Sequence, residues 1–318
     1  MIEVKDLVKK YGSHLAVDHL SFTLESGKIY GFLGPNGAGK STTMNIMTGY
    51  LGATQGSVLI DGHDILKEPE EAKKHIGYLP ELPPLYMDMT VQEYLEFAAE
   101  LKKLPKEKRE SDISEVMKLT RLQDVSDRLI KNLSKGYKQR VGLAQAILGF
   151  PEIIILDEPT VGLDPKQIIE IRELIRTLSK KHTVILSSHI LAEVREVCDY
   201  ILIISKGKLV ASDTPENLEL LRNGASSLEL EVKAGPETAR AILSTIDDID
   251  AMEMHSENEN LTRVKLETKN GADIREAIFY AFAEEKCPLL EMKTAKASLE
   301  DIFMELTQKE ESNDAGNL

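Results

Sequence analysis

The stretch GPNGAGKST, residues 34–42, decides the fold of this chain. It fits the pattern G-x-x-x-x-G-K-[ST] and lies between a predicted strand and a predicted helix, the context of a phosphate-binding loop. Glycines leave successive backbone N–H groups free to face a polyphosphate, and the helix that follows adds the partial positive charge of its N-terminus. The alternative, a glycine-rich turn with an exposed lysine, does not explain this context.

The loop contains Gly34, Pro35, Asn36, Gly37, Ala38, Gly39, Lys40, Ser41 and Thr42. We expect these residues to surround the phosphates of a nucleoside triphosphate. Lys40 is predicted to reach the β and γ phosphates, and Ser41 is predicted to bind Mg²⁺. Lys40 is therefore also a candidate for the catalytic group.

An acidic pair follows a second predicted strand. The run EIIILDEP, residues 152–159, is apolar and β-branched up to Leu156, as in a strand buried on both faces of a parallel sheet. Asp157 is expected to hold Mg²⁺, and Glu158 is expected to polarise the attacking water as a general base. Alone, such a pair is usually a solvated strand end. The accompanying phosphate loop favours the catalytic interpretation.

Composition restricts the classes of function. The chain has 318 residues, a net charge of −14, 42% hydrophobic and 29% charged residues, which suits a globular protein of about two domains. The acidic balance argues against a nucleic-acid partner, which needs a basic surface. Cys198 and Cys287 are too few and too far apart for a disulfide framework, so a reducing cytosol is expected. No run reaches the ~18–20 apolar residues that span a bilayer.

The segment LSKGYKQR, residues 133–140, resembles the signature LSGGQ-x-QR of ATP-binding-cassette (ABC) ATPases. The matching residues are Ser134, Gly136, Gln139 and Arg140. Lys135 replaces a glycine and Tyr137 replaces a glutamine. Ser134 is expected to cap the next helix and leave N–H groups facing an anion. The resemblance implies that this anion is the γ-phosphate on the opposite subunit, so that residues 134–137 act in trans.

Three further residues match the family in chain order. Asp164 in VGLDP is similar to the loop that links the two sites of an ABC dimer, and His189, after TVILSS, to the switch histidine that contacts the γ-phosphate. Tyr11 resembles the aromatic residue that stacks on adenine. Without the other motifs of the family, a lone histidine at a strand end is more often a structural cap. A tyrosine near the start of the chain is likewise more often a packing residue.

An unusual acid follows the strand predicted within IGYLPELPPLY, residues 76–86. At Glu81 the family carries a glutamine that touches Mg²⁺ or the lytic water and moves with the permease. The prolines behind it restrict the chain to an extended arm, which is expected to bring Tyr86 and Met87 near the permease. We expect Glu81 to join the Mg²⁺ ligands; a solvated loop acid is the alternative.

The resemblance covers residues 1 to about 220 and implies an α/β P-loop ABC cassette. Its expected parts are an N-terminal antiparallel β subdomain, a mixed or parallel core sheet and a helical subdomain at about 80–145. The cassette is placed at residues 1–221 and a linker, RNGASS, at 222–227.

A smaller domain is predicted at residues 228–308, followed by a disordered tail at 309–318. Together, the domain and the tail carry most of the net negative charge. Its order, β-α-β-β-α-β followed by a helix at 298–307, indicates an α+β ferredoxin-like sandwich. Dimerisation or stabilisation is one role for this domain, and regulation or ligand sensing is the other.

The resemblance implies an ATPase subunit that uses ATP and Mg²⁺ to power an ABC transporter. Expected partners are a second cassette, identical or different, and a permease in a separate membrane-spanning chain, which places the protein peripherally on the cytoplasmic face of the cell membrane. LPE, LSKG and the extension resemble ABC-2 exporter ATPases of drug, gliding-motility and copper-linked systems.

One alternative is a soluble ABC ATPase that acts on ribosomes or DNA. Another is a P-loop kinase or transferase, which is not expected to carry the signature. The sequence does not identify the cargo.

Overall fold

The computed structural model describes residues 1–220, 227–258, 260–269 and 272–295. Most of the predicted linker, the predicted helix at 298–307 and the predicted tail at 309–318 lie outside the described residues. The chain divides into two compact units, Met1–Thr214 and Pro215–Leu318. This division comes before the predicted cassette end at residue 221. In the part of the chain that the structure describes, no helix has the length and apolar character needed to cross a bilayer.

The first unit alternates strands and helices. Its strands are β1 (Ile2–Tyr11), β2 (His14–Leu24), β3 (Ile29–Leu33), β4 (Gln55–Ile60), β5 (His63–Asp64), β6 (Ile76–Leu79), β7 (Ile153–Leu156), β8 (Thr183–Ser188), β9 (Tyr200–Ser205) and β10 (Lys208–Asp213). Its helices are α1 (Lys40–Met47), α2 (Pro69–Lys74), α3 (Val91–Leu101), α4 (Lys106–Leu119), α5 (Lys135–Ile147), α6 (Pro165–Ser179) and α7 (Leu191–Val197). Single 3₁₀ turns occur at Gln123–Val125 and Ile130–Asn132.

The core sheet determines where the site forms. Its strand order is β10-β9-β3-β8-β7-β6, and every pairing is parallel except that of the edge strand β10. Strands β3, β7 and β8 are buried along their whole length, as their continuous apolar runs predict. Because the carboxyl ends of parallel strands meet at one edge, the residues after Leu33, Leu79, Leu156 and Ser188 meet there.

A second sheet, in the order β2-β1-β4-β5, is antiparallel. Its apolar face shares one hydrophobic core with the core sheet and α1, in which Val4, Leu20, Phe32, Met44 and Met47 are buried. This core fixes the start of α1, and with it the phosphate loop. The predicted cassette fold, with a mixed core sheet and an antiparallel β subdomain, is confirmed.

Helices α3, α4 and α5 lie within the predicted helical region. A capping box opens α3: Thr90 N donates to Glu93 Oε2 at 2.8 Å, and Glu93 N donates to Thr90 Oγ1 at 3.2 Å. These bonds satisfy two backbone donors that a helix start otherwise leaves without partners. The short helix α2 and the two-residue strand β5 do not appear in the sequence prediction, because neither has a sustained apolar period.

The second unit begins with α8 (Pro215–Leu220). Its other elements are β11 (Ser227–Val232), α9 (Pro236–Leu243), β12 (Ile249–Asn258), β13 (Leu261–Thr268), α10 (Arg275–Glu284) and β14 (Leu289–Ala295). The sheet is antiparallel in the order β12-β13-β11-β14. Leu230, Leu243, Val264 and Phe282 are buried together in its core. From β11 to β14 the element order is the β-α-β-β-α-β order of a ferredoxin-like sandwich.

Candidate functional site

A cavity of about 540 Å³ opens at the carboxyl edge of the core sheet. Its lining residues are Tyr11, His14, Ala16, Asn36, Gly37, Ala38, Gly39, Lys40, Ser41, Thr42, Glu81, Glu158, Val161 and His189. Segments that are far apart in the sequence meet here because β3, β6, β7 and β8 end at the same edge. The structure therefore brings most of the predicted nucleotide and catalytic residues into one place.

The phosphate loop turns tightly before α1. Gly37 and Gly39 have φ values of +82° and +103°, in the left-handed region that glycine enters without steric cost. Ala38 N donates to the Pro35 carbonyl at 3.1 Å and closes the turn. Helix α1 begins directly afterwards at Lys40, so the open N–H groups of its first turn face the cavity and suit an anion.

The Lys40 side chain lies across its own loop. Nζ donates to the Gly34 carbonyl at 2.7 Å and to the Pro35 carbonyl at 3.2 Å, and the side chain is only 6% exposed. Burial lowers the pKa of the Lys40 ammonium, while nearby carboxylates, that of Glu158 foremost, act in the opposite direction. A buried cation whose partners are carbonyls and acids is available for exchange with phosphate oxygens.

Asp157 and Ser41 form a pair of oxygen donors beside the loop. Ser41 Oγ donates to Asp157 Oδ1 at 3.2 Å, and Ser187 Oγ donates to the same atom at 2.6 Å. Asp157 N donates to the Leu79 carbonyl at 2.8 Å, which fixes its backbone between β6 and β7. A buried carboxylate and a hydroxyl are hard oxygen ligands of the kind that Mg²⁺ prefers. These residues therefore fit Mg²⁺.

Glu158 lies between the lysine and the predicted histidine. Its Oε2 is 3.0 Å from His189 Nδ1, and its Oε1 is 3.9 Å from Lys40 Nζ. Its backbone has φ +47°, a left-handed conformation that costs a non-glycine residue about 1–3 kcal/mol and occurs preferentially at functional sites. A bond from Glu158 N to Ser187 Oγ at 2.8 Å supports this conformation. The carboxylate can accept a proton from a water in the cavity.

Two predicted residues lie at the cavity margin. Tyr11, the last residue of β1, lines the cavity and is 48% exposed, with Lys9 Nζ 5.2 Å from its ring centroid. Glu81 is exposed, and the negative charge of its carboxylate acts to raise the pKa of Lys40. The arm after Glu81 packs closely on α5: a Cβ on Gly142 would lie 2.7 Å from the Pro83 side chain.

The signature residues do not line the cavity of their own chain. Ser134 caps α5, with Tyr137 N donating to its Oγ at 3.4 Å. The Lys135 side chain lies on Gly162, where a Cβ would be 1.9 Å from Nζ. Asp164 caps α6 by accepting from Gln167 N at 2.9 Å. Residues 134–137 and Asp164 thus share a surface outside the cavity, and their action in trans stays a prediction.

Sequence reasoning missed four buried side chains behind the site, those of Thr160, Ser187, Ser188 and Glu193. Ser187 bridges Asp157 and Glu158. Glu193, on α7, accepts from Thr160 Oγ1 at 2.6 Å and from Ser188 Oγ at 3.2 Å. These bonds join the turn after Glu158 to the end of β8. The two serines that end the apolar run TVILSS were a signal, because buried hydroxyls need partners.

Removing the Glu193 carboxylate is expected to disturb the site indirectly. In Glu193→Ala, the hydroxyls of Thr160 and Ser188 lose their acceptor, and the segments that carry Glu158 and His189 are held less firmly. We expect kcat for ATP hydrolysis to fall about 10- to 100-fold and KM to change little, since no phosphate contact is lost. Steady-state kinetics test this.

Glu196→Ala is the matched control, because this carboxylate is on the same helix and 54% exposed. Glu193→Gln keeps an acceptor oxygen and is expected to retain more activity than the alanine variant. A kcat of Glu193→Ala equal to that of the control would refute a positioning role.

Comparison with known proteins gives the family. Residues 17–161 match the family described as "ABC transporter". The chain is 36% identical over 316 residues to the uncharacterized ABC transporter ATP-binding protein YhcH of Bacillus subtilis, with 96% of each chain covered. It is 35% identical over 308 residues to the bacitracin transport ATP-binding protein BcrA of Bacillus licheniformis, covering 96% of this chain and 97% of the relative.

Solved structures agree with this similarity. An ATP-binding subunit of an ABC transporter matches with a TM-score of 0.64 and 32% identity, over 70% of this chain and 92% of that one. The dimeric cassette MJ0796 in a post-hydrolysis state, bound to ADP and Pi, matches with a TM-score of 0.62 and 26% identity, over 67% of this chain and 98% of that one.

Proposed function

Because this chain belongs to the family of ABC transporter ATP-binding proteins and is an ATPase, we propose that it powers export through a separate membrane-spanning permease. The observation that carries the proposal is the convergence of the phosphate loop, Glu158 and His189 at one cavity, with Asp157 hydrogen-bonded to Ser41 of the loop. The geometry supports a site that binds ATP with Mg²⁺ and activates a water molecule.

Each residue of the site has a proposed role in hydrolysis. Ser41 and Asp157 would hold Mg²⁺, which neutralises phosphate charge when bound. Lys40 exchanges its bonds to the loop carbonyls for bonds to the β and γ phosphates. Glu158 accepts the proton of the attacking water, a role worth about 10²–10⁴-fold in rate. His189 is hydrogen-bonded to Glu158 and is placed to contact the γ-phosphate.

A second cassette is proposed to complete the site. Ser134 stands at the start of α5 and leaves N–H groups at the helix N-terminus, yet residues 134–137 are absent from the lining of the chain's own cavity. A dimer in which α5 of one subunit faces the cavity of the other would use both features. The dimeric structure of the similar cassette MJ0796 supports a dimer.

The permease is proposed to bind beside the arm that follows Glu81. A groove there is lined by Pro84, Leu85, Tyr86, Tyr94, Phe97, Ala98, Leu101, Lys102 and Gln145. Tyr86 and Leu101 are large apolar side chains that are 55% and 65% exposed. Exposed apolar side chains gathered in a groove are typical of a protein contact. This contact would place the protein on the cytoplasmic face of the cell membrane.

Export is the proposed direction of transport. Relatives that match 96% of this chain are named for bacitracin transport and for linearmycin resistance. Resistance to an antibiotic is gained when it is removed from the cell, so these names support export rather than uptake. Names of transporter subunits also disfavour the alternative of an ABC ATPase that acts on ribosomes or DNA.

Co-purification tests the permease proposal. A tagged full-length chain, isolated from detergent-solubilised membranes of its own organism, is expected to bring with it an integral membrane protein with several predicted spans. Leu101→Glu places a charge in the groove and is expected to release that protein while ATPase activity remains. Equal recovery with Leu101→Glu would place the contact elsewhere, and recovery of ribosomes or DNA instead would overturn the proposal.

Glu81→Gln tests the role of the acid. Glutamine removes one negative charge near Lys40 and keeps the shape of the side chain. If Glu81 joins the Mg²⁺ ligands, ATP binding persists and the Mg²⁺ concentration for half-maximal hydrolysis changes by about threefold or more, within the range for one carboxylate–metal contact. Titration of ATPase activity with MgCl₂ measures this. An unchanged Mg²⁺ dependence would identify Glu81 as a solvated loop acid.

A further inference from the structure

A cluster of metal-ligating side chains lies at the edge of the core sheet opposite to the nucleotide cavity. Asp61 is in the turn between β4 and β5, His75 directly precedes β6, and Glu152 directly precedes β7. Since β6 and β7 are parallel neighbours, the residues before them lie side by side. One ligand atom from each of the three residues lies within 4.8 Å of the other two.

The distance between two of these atoms is within the range of a hydrogen bond or ion pair, and it also fits two ligands of one metal ion. His75 Nδ1 and Glu152 Oε2 are 3.3 Å apart. Charge-assisted N–H···O bonds usually close to about 2.7–2.9 Å. Two ligands of a tetrahedral zinc ion, each about 2.0–2.2 Å from the metal, are about 3.3–3.6 Å apart. A contrasting pair, His19 Nδ1 and Asp6 Oδ1, has closed to 2.6 Å.

The backbones that carry the three residues are fixed. Asp61 has φ +47° in a tight turn, and its N–H donates to the Met1 carbonyl at 2.9 Å. The His75 and Glu152 carbonyls accept from the N–H groups of Ile153 and Thr183, each at 2.9 Å. Small side-chain rotations would therefore suffice to bring the three ligand atoms around one ion, without rearrangement of the chain.

Other charged groups surround the cluster. The Met1 ammonium is 3.7 Å from Asp61 Oδ1, and Lys180 and Lys181 line the cavity that Glu152 also lines. The ring of His63 lies 6.1 Å from that of His75 at an angle of 14°. His63 Nδ1 is itself 3.6 Å from Glu68. The ammonium groups of Met1, Lys180 and Lys181 would compete with a metal ion for the carboxylates but not for the His75 imidazole.

We propose that Asp61, His75 and Glu152 bind a divalent transition-metal ion, zinc before the others, with water completing the coordination. One imidazole and two carboxylates suit the borderline ions Zn²⁺, Ni²⁺ and Co²⁺ better than Mg²⁺, which prefers oxygen ligands alone. Because the ion joins the β4–β5 turn to the starts of β6 and β7, it stabilises the cassette fold. It lies at the opposite ends of those strands from Glu81 and Asp157, so it takes no part in hydrolysis.

Titration of the full-length, nucleotide-free protein with ZnCl₂, monitored by isothermal titration calorimetry, tests the site. We expect saturable binding of one ion, a visible absorption band of tetrahedral type when CoCl₂ replaces ZnCl₂, and a rise in Tm with zinc concentration. His75→Gln is expected to weaken zinc binding about tenfold or more. Asp61→Asn and Glu152→Gln, which conserve side-chain shape, are expected to weaken it in the same direction.

Two variants separate this site from other places for a cation. His19→Ala removes a histidine beside Asp6 and Asp18 and is expected to leave zinc binding unchanged. Asp157→Asn alters the proposed Mg²⁺ position and is also expected to retain it. Absence of zinc binding by the unmodified protein would overturn the proposal. So would binding that survives in folded His75→Gln, or binding that is lost in His19→Ala or Asp157→Asn.

Discussion

Replacing Glu158 with glutamine is expected to lower steady-state ATP hydrolysis by about 10²- to 10⁴-fold, the range for loss of a general base. Glutamine keeps the length of the side chain but cannot take the proton of the attacking water. Lys40, Ser41 and the loop N–H groups are unchanged, so ATP still binds. With chemistry blocked, the proposed closed dimer is expected to accumulate in the presence of ATP and Mg²⁺.

Three measurements test this prediction: phosphate release at steady state, equilibrium binding of ATP, and molecular mass in solution with and without ATP. Glu173→Gln is the matched control, because this glutamate on α6 is 62% exposed and does not line the cavity. Near-normal turnover of Glu158→Gln would rule out the carboxylate as the base. Loss of ATP binding would indicate instead that Glu158 holds the loop together through Lys40.

Two inactive variants are expected to restore each other's activity if the signature acts in trans. Lys40→Met removes the ammonium, which is hydrogen-bonded to the Gly34 and Pro35 carbonyls and is proposed to bind phosphate oxygens in their place. Methionine has a similar length and suits the buried position. Loss of one charge-assisted contact of about 1.5–3 kcal/mol corresponds to about 10- to 100-fold weaker ATP binding. Hydrolysis by this variant alone is expected to fall at least as far.

Ser134→Arg blocks the other half of the proposed composite site. It removes the cap of α5, which costs about 1 kcal/mol of stability, and places a large side chain where the partner's γ-phosphate would lie. ATP binding to the variant's own loop is expected to remain, and hydrolysis is expected to be lost. In a mixture, the loop of a Ser134→Arg subunit faces the intact signature of a Lys40→Met subunit.

Activity of the mixture above that of either variant is therefore the expected result, measured after dissociation and reassociation of the two proteins. Ser114→Arg, at an exposed position of α4 outside residues 134–137, is the matched control for the added side chain. A mixture that forms heterodimers and stays inactive would contradict action in trans. Full activity of Ser134→Arg alone would remove the signature from the mechanism.

Local patterns predicted much of the fold. The phosphate loop could be identified because its glycines, its lysine and the helix after it are consecutive in the chain. The apolar run before Asp157 predicted a buried strand of a parallel sheet, which β7 is. The cap at Ser134 was also predicted, because a cap depends on residues only three positions apart.

Contacts between distant segments were not predictable in this way. The bonds from Ser187 to Asp157, and from Thr160 to Glu193, join residues about thirty positions apart, and no periodicity relates them. The left-handed backbone of Glu158 is imposed by its surroundings, since glutamate has no preference for it. The contact of Lys135 with Gly162 depends on how closely α5 approaches the turn before α6.

The sequence by itself determined the chemistry of this protein: a phosphate loop, an acidic pair at a strand end, a signature segment and a histidine in family order. These features are short, and their backbone geometry follows from the residue types within them. The tertiary structure alone decided which side chains stand behind the catalytic pair, that the signature lies outside its own cavity, and that Asp61, His75 and Glu152 meet. Such contacts depend on the packing of sheets and helices, which brings together residues that no local pattern connects.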